Sequence, residues 1–189
     1  MNELFVHFEL NPEISKIKGV SERFWDQIVI DGLIGNNDRN NGNWGILSCG
    51  DKRELAPIFD NGACFYPKKR NLATEQLLKL PEADQARNNA NIQEPFTLDG
   101  EHHLNYKFML DLDETKIPAS QLKLLKASIV KNTQLVESKL DDIVAFIKLS
   151  RNEEVKAFEF VNIAVNSIAI SWKVTLRIIL KMLLPIILI

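Results

Sequence analysis

Apolar residues recur at helical spacing in two long segments of the chain. The first covers residues 21–33, and its apolar positions are Phe24, Trp25, Ile28, Val29 and Leu33. Residues three and four apart share one face of a helix, so this pattern predicts an amphipathic helix. Ser21 is a suitable N-cap, and Gly32 and Gly35 lie near its expected end.

The second segment covers residues 120–149 and keeps the same period. Its apolar positions include Leu122, Leu125, Ile129, Leu140, Ile143, Val144 and Ile147. We therefore expect a second long helix. Whether it breaks near Asn132 and Thr133 is left open by the sequence.

Shorter signals lie between these two helices. Residues 43–48 and 54–59 are predicted to be strands of a hairpin, joined by a polar turn, with Pro57 where no ladder donor is needed. A short helix is expected over 73–80 and a polar loop over 82–94. The predicted fold is mostly α, an α+β arrangement with one small hairpin.

The segment 158–189 is almost uniformly apolar. Lys173, Arg177 and Lys181 recur at every fourth position, and Pro185 interrupts the last turns, so a membrane-spanning helix is disfavoured. The basic stripe could contact an anionic membrane, but a buried core helix with cations at one edge is favoured. The predicted division is a body over 1–150 and an apolar, basic-striped helical segment over 151–189.

Composition and charge narrow the class of protein. The 189 residues contain 23 Lys plus Arg and 25 Asp plus Glu, a formal charge of −2, so nucleic acid is not an expected ligand. The start of the chain has no basic, apolar signal peptide. Cys49 and Cys64, which we expect to be packing residues, are too few for a disulfide framework, so a cytoplasmic location is expected.

The loop over 34–47 is rich in Gly, Asn and Asp and is the strongest candidate for chemistry. A calcium-binding EF-hand loop needs Gly at its sixth position and Glu at its twelfth. Counted from Asn36 the twelfth residue is Leu47, and counted from Asn37 it is Ser48. Both registers fail, so calcium is set aside.

A second interpretation joins Asp38, Asn43 five residues later, and Asp60 after the hairpin. Phosphoryl transfer needs a carboxylate to accept a hydroxyl proton, an amide oxygen five residues on to hold metal, and a second carboxylate to bridge metal to nucleotide phosphates. Taken alone, such a loop is more often a plain turn, but the joint spacing of the three residues favours phosphoryl transfer.

The neighbouring residues leave two questions open. Trp44, Ile46 and Phe59 could line the floor of an adenine pocket or could be ordinary core residues. Asp31, on the inner side of the first helix, could orient the loop by hydrogen bonds or could lie on a solvated face.

The segments 24–47 and 55–67 together resemble the C-terminal lobe of the HipA-like kinases, in their CtkA branch. The resemblance implies a protein-kinase-like helical lobe that uses Mg²⁺ and ATP to phosphorylate a Ser or Thr hydroxyl of a protein, and the family includes toxin–antitoxin kinases. It assigns Asp38 as the catalytic aspartate, and it assigns Asn43 and Asp60 as magnesium ligands.

The sequence departs from the family in two ways. Asn40 stands where the family usually has His, and no segment upstream of the first helix resembles the small N-terminal lobe. We therefore expect the chain to be incomplete as a kinase by itself. Either a separately encoded N-terminal lobe completes it, or it is an inactive remnant or partner-binding module that works through its helices or its tail.

Overall fold

The computed structural model describes residues 2–36, 38–64, 76, 79–81, 84, 109 and 112–154. The elements in these ranges are α1 (Asn2–Leu10), α2 (Val20–Ile34), a 3-10 turn (Asn41–Asn43), β1 (Ile46–Cys49), β2 (Lys52–Leu55), α3 (Ala119–Ser138) and α4 (Leu140–Glu154). The described residues are rich in helix and include one small antiparallel sheet. This confirms the prediction of a mostly helical fold with a small hairpin.

Several predictions concern other parts of the chain. The predicted helix over 73–80 and loop over 82–94 lie almost entirely outside the described residues, and the apolar segment 158–189 lies wholly outside them. Helix α4 continues through position 150 to Glu154, and the division of the chain at that point stays a prediction. Within the described ranges, no helix has the length and apolar character needed to cross a membrane.

Helix α2 is the central element of the core and confirms the first predicted helix. All five of its predicted apolar positions are buried. The predicted cap is wrong, because Gly19 is the N-cap and Ser21 lies in the first turn. Gly19 has a φ of +86°, a left-handed conformation that favours glycine, and Ser21 Oγ instead accepts a hydrogen bond from Gln121 of α3 at 3.3 Å.

Helix α1 is not predicted by the apolar pattern, because only one of its side chains is fully in the core. Phe5 is buried, with ring centroids 5.9 Å from Phe24 and 5.8 Å from Trp25. Val6 and Leu10 on the same helix are largely exposed. An isolated helix of this length is marginal in water, so aromatic packing on α2 stabilises it.

Helices α3 and α4 occupy the predicted second helical region, but the break lies at Lys139 rather than near Asn132 and Thr133. Thr133 Oγ1 donates to the carbonyl oxygen of Ile129 at 2.7 Å, and Asn132 Nδ2 donates to that of Ser128 at 2.9 Å. Because these buried polar side chains find partners within the helix, they do not interrupt it.

Helix α3 packs along α2 and completes the core. Trp25 is fully buried between them, and its Nε1 donates to Gln121 Oε1 at 2.9 Å. The remaining buried apolar residues of this core are Phe5, Phe24, Ile28, Val29, Leu33, Met109, Leu112, Ile117, Leu122, Leu125 and Ile129. The site loop therefore emerges from the end of a helix that packs against both α1 and α3.

The hairpin is confirmed, with shorter strands than predicted. Strands β1 and β2 pair antiparallel, with Ile46 opposite Leu55 and Cys49 opposite Lys52, so the turn is Gly50–Asp51. Gly50 has a φ of +58°, which suits a tight hairpin turn. Pro57 lies beyond β2. Cys49 is exposed, so its expected role as a packing residue is wrong.

Two hydrogen bonds fix the exit of the hairpin against the helical core. The N–H of Ala56 donates to the carbonyl oxygen of Gly45 at 2.8 Å, and Arg23 of α2 donates to the carbonyl oxygen of Ala56 at 3.0 Å. These bonds hold the segment that follows β2 beside the loop that follows α2.

Candidate functional site

The loop that follows α2 begins with a glycine cap. Gly35 has a φ of +63°, and its N–H donates to the carbonyl oxygen of Asp31, while the N–H of Asn36 donates to the same oxygen at 3.0 Å. Glycine adopts this left-handed conformation without steric cost, which makes it a common helix C-cap. The chain therefore turns sharply away from α2 before the candidate residues.

The loop ends in a 3-10 turn closed by two asparagines. Asn40 Oδ1 accepts a hydrogen bond from the N–H of Gly42 at 2.8 Å, and Asn43 Oδ1 accepts one from the N–H of Asn40 at 2.9 Å. This reciprocal pattern is a capping box. Asn40 is thus a cap whose N–H holds the side-chain oxygen of Asn43.

The structure brings together two of the three residues predicted to carry chemistry. Asn43 Nδ2 donates to Asp60 Oδ2 at 2.6 Å, across 17 residues of sequence. Asn43 is buried and Asp60 is exposed. Asp60 is also the one non-glycine residue of positive φ in the described ranges, at +59°. Such backbone conformations carry a cost and concentrate at functional sites.

Asp38, the third predicted residue, lies on the same loop with its side chain exposed. Its N–H donates to Asn36 Oδ1 at 3.3 Å, and its carbonyl oxygen accepts from Asn40 Nδ2 at 3.2 Å. The backbone of Asp38 is therefore held from both sides while its carboxylate faces solvent. An exposed carboxylate on a fixed loop is able to accept a proton from a bound hydroxyl.

Asp31 is buried and contacts the loop, which answers the question that the sequence left open. Its Oδ2 accepts from Arg39 Nε at 2.7 Å, and its Oδ1 accepts from Arg39 Nη2 at 2.9 Å and from Asn36 Nδ2 at 3.1 Å. Burial raises the pKa of the Asp31 carboxyl, and the hydrogen bonds and charge of Arg39, with the Asn36 bond, offset only part of that effect.

Arg39 is a residue of the site that the sequence pattern does not identify. Besides Asp31, it donates through Nη1 to the carbonyl oxygen of Phe59 at 2.6 Å and through Nη2 to Asn61 Oδ1 at 2.7 Å. The available signal in the sequence was a basic residue in a polar loop, eight positions after an acidic residue on the inner face of a helix. Phe59 and Asn61, the two partners beyond the hairpin, carry no such signal in the sequence, since only the fold brings them near Arg39.

The three residues considered for an adenine pocket occupy different environments. Trp44 is half-buried against the core, with its ring stacked 6.3 Å from that of Phe24. Ile46 and Phe59 are 39% and 41% exposed at the surface. Trp44 thus has the packing of a core residue, and the two exposed residues remain available to a ligand. Their role as a nucleotide floor stays a prediction.

A small cavity of about 10 Å³ lies between α2, the end of the loop and the exit of the hairpin. This volume suits about one water molecule and is far below that of a nucleotide site. Gln27 Nε2, which is buried and has no hydrogen-bond partner in the structure, belongs to a residue of the cavity wall. The full lining is Arg23, Gln27, Asn43, Trp44, Gly45, Leu55, Ala56, Pro57 and Ile58.

The donor chemistry of Asn43 and Asp60 fits magnesium. Both offer hard oxygen ligands, and Mg²⁺ is commonly held by one or two protein ligands together with water and phosphate oxygens. Across the described ranges, no group of three or more His, Cys, Asp or Glu side chains gathers for a metal. In the structure Asn43 turns its amide nitrogen toward Asp60 and its oxygen toward the N–H of Asn40. A metal held by both side chains would therefore require the Asn43 amide to turn over, which replaces both hydrogen bonds.

Comparisons with known proteins support the resemblance seen in the sequence. No protein-family model matches the chain. A serine/threonine-protein kinase CtkA of Helicobacter pylori is 47% identical over 57 residues, which are 29% of this chain and 18% of that protein.

A crystal structure titled as a Helicobacter pylori proinflammatory kinase CtkA matches in fold, with a TM-score of 0.63 and 22% identity. The match covers 89% of this chain and 55% of that one, so the chain spans about half the length of the solved kinase. The chain is therefore CtkA-like, in sequence over the shorter stretch and in fold over most of its own length.

Proposed function

We propose that the chain is the magnesium- and ATP-binding part of a CtkA-type kinase that phosphorylates a Ser or Thr hydroxyl of a protein. The observation that carries the proposal is the 2.6 Å contact between Asn43 and Asp60, made across a hairpin. Asp38 lies on the same loop as Asn43. The likeness to a serine/threonine-protein kinase supports it.

In this proposal the three polar residues divide the work. Asp38 accepts the proton of the acceptor hydroxyl, for which its exposed carboxylate on a held backbone is suited. Asn43 and Asp60 would hold Mg²⁺, which supplies charge neutralisation on the transferred phosphoryl group. The rigid attachment of both segments to α2 keeps these groups in a fixed arrangement, so positioning provides much of the rate enhancement.

The nucleotide would lie over the exposed side of the hairpin exit, where Ile46 and Phe59 present apolar surface. Aromatic and aliphatic side chains of this kind pack against a purine ring. The small cavity beside the hairpin exit, of about 10 Å³, is itself far below nucleotide size. A second polypeptide, or another part of a longer cytoplasmic protein, would cover the nucleotide from the other side and complete the kinase.

The test is transfer of labelled phosphate from ATP to a general protein acceptor. It is run with the chain alone and with any polypeptide encoded immediately upstream. Asp38→Asn is expected to retain Mg²⁺-dependent ATP binding and to lose about 10²-fold or more of the transfer rate, because it removes only the proton acceptor. Asp142→Asn, an exposed carboxylate of α4, is the matched control and should behave as wild type.

Each outcome bears on one alternative. Transfer only in the presence of the upstream polypeptide would support a kinase assembled from two chains. ATP binding without transfer under either condition would favour the inactive, partner-binding alternative. Transfer that Asp38→Asn leaves unchanged would contradict the assignment of Asp38.

A further inference from the structure

Arg39 joins three segments of the chain through one guanidinium group. It makes two hydrogen bonds to Asp31 of α2, one to the carbonyl oxygen of Phe59 and one to Asn61 Oδ1. The last two partners are the residues immediately before and after Asp60. The backbone that carries this candidate metal ligand is therefore held on both sides by the same group.

The conformation held in this way is an unfavourable one. Asp60 has a φ of +59°, a left-handed backbone conformation that costs free energy in residues other than glycine, although less in Asp and Asn than in most others. Such a conformation persists only where surrounding contacts outweigh its cost. The Arg39 bonds on either side, with a longer 3.5 Å contact from Asn36 Nδ2 to the carbonyl oxygen of Asp60, are those contacts.

Because the Asp31–Arg39 ion pair is buried, we expect it to orient the guanidinium group more than to stabilise the fold. The two side chains are only 5% and 7% exposed. A buried ion pair is a weak source of stability, because desolvation consumes most of the attraction between the charges. What the pair provides is geometry, since two parallel bonds to Asp31 fix the plane of the guanidinium and hence the direction of its two other bonds. Lysine could not reproduce this fork.

We propose that Arg39, oriented by Asp31, is a positioning residue that holds Asp60 in its left-handed conformation, so that its carboxylate meets Asn43. Its importance for metal binding rests on the proposed function. The arrangement resembles the outer-shell contacts of metal sites, where groups that touch a ligand, and not the metal, set its direction.

The test compares Arg39→Lys with Arg53→Lys in the full chain. Arg53 forms an exposed ion pair with Glu13, so it is the matched control. The first measurement is the intraresidue HN–Hα NOE of Asp60 by NMR, which is strong when φ is positive. The second is the affinity for ATP at saturating Mg²⁺, relative to the affinity without Mg²⁺.

Arg39→Lys is expected to lose the strong NOE at Asp60 and to weaken Mg²⁺-dependent ATP binding by about 10- to 100-fold. Arg53→Lys should change neither. A folded Arg39→Lys protein that keeps both the NOE and the affinity would overturn the proposal. If wild type shows the NOE but no Mg²⁺-dependent binding, the proposed function fails, and the NOE in Arg39→Lys still decides the positioning role.

Asn61→Ala covers the case in which Arg39→Lys does not fold. This change removes one acceptor of Arg39 at a partly exposed residue and leaves the buried ion pair intact. The expected result is a weaker NOE at Asp60 and about two- to tenfold weaker Mg²⁺-dependent ATP binding, the effect of one lost hydrogen bond. A wild-type NOE and affinity in Asn61→Ala would overturn the proposal.

Discussion

Two aspartates five residues apart on helix α2 face different parts of the molecule. Asp26 contacts α3, where its Oδ1 accepts from Ser128 Oγ at 2.7 Å and from Asn132 Nδ2 at 2.9 Å, and Lys131 pairs with Oδ2. Asp31 contacts the candidate site loop through Arg39. The first carboxylate joins two helices of the core, and the second joins the core to the site.

The surroundings move the pKa of the two carboxyls in opposite directions. At Asp26, burial acts to raise the pKa, but the hydrogen bonds from Lys131, Ser128 and Asn132 outweigh it and the net shift is downward. At Asp31, burial prevails and the net shift is upward. The Asp26 charge therefore stabilises the fold, while the Asp31 charge is retained at a cost, which is more common at functional sites than at structural ones.

The largest effect is expected for Asp31→Ala. This change leaves the buried guanidinium of Arg39 without its carboxylate, and an arginine cannot neutralise itself by losing a proton. We expect a loss of about 3 to 5 kcal/mol in the free energy of unfolding, measured by urea denaturation. Arg39→Met should cost less, because Asp31 can bind a proton. An equal or larger loss in Arg39→Met would contradict this account of the pair.

A smaller effect is expected for Asp26→Ala. Three donors on α3 lose their acceptor, but Lys131 is exposed to solvent and Asn132 keeps its bonds to Ser128. We therefore expect a loss of about 1 to 3 kcal/mol in the free energy of unfolding. Mg²⁺-dependent ATP binding at about 25 °C should be unchanged in the folded variant. A binding defect comparable to that of Arg39→Lys would remove the distinction between the two aspartates.

The dependence of stability on pH gives a third way to separate them. Because the pKa of Asp26 lies below its ordinary value of 3.8 in the fold, its contribution is full above that value and is lost as pH falls through the lowered pKa. The stability difference between wild type and Asp26→Asn should therefore shrink on acidification. The pKa of Asp31 is raised in the fold, so ionisation of this carboxyl lowers the stability of the folded state. Acidification should therefore increase the free energy of unfolding of wild type relative to that of Asp31→Asn.

These differences are measured as urea midpoints for the three proteins between about pH 6 and pH 3. Use of differences cancels the titration of carboxyls shared by all three proteins. A trend of the same sign for both aspartates would contradict the opposite assignments.

The smallest effect is expected for Arg53→Met. Arg53 and Glu13 form an ion pair in which both side chains are about half exposed or more, so water screens the attraction. The free energy of unfolding should change by less than about 1 kcal/mol, measured by urea denaturation. A loss as large as that of Asp31→Ala would show that burial is not what distinguishes the pairs.

The sequence predicted helix α2 and the hairpin because each has a local signal, an apolar period in one case and turn residues between short strands in the other. The spacing of Asn43 and Asp60 predicted that they meet, since a hairpin returns the chain on itself. Strand ends were less predictable, because Trp44 and Phe59 look like strand residues but lie outside the ladder.

Arg39 and α1 could not be predicted in the same way. The partners of Arg39 at Phe59 and Asn61 are a backbone oxygen and an amide 20 and 22 residues away, and no periodicity encodes such contacts. Helix α1 depends on Phe5 packing against α2, a tertiary contact. Local patterns thus identified the residues proposed for chemistry, and the fold was needed to identify those that hold them in place.

The central claim is that Asp60, beside Asn43, holds magnesium for a bound nucleotide. The most direct measurement is calorimetric titration of ATP into wild type and Asp60→Asn at a series of Mg²⁺ concentrations. Mg²⁺ should tighten ATP binding to wild type and leave binding to Asp60→Asn unchanged, with Asp26→Asn behaving as wild type. Equal Mg²⁺ dependence in wild type and Asp60→Asn would contradict the claim.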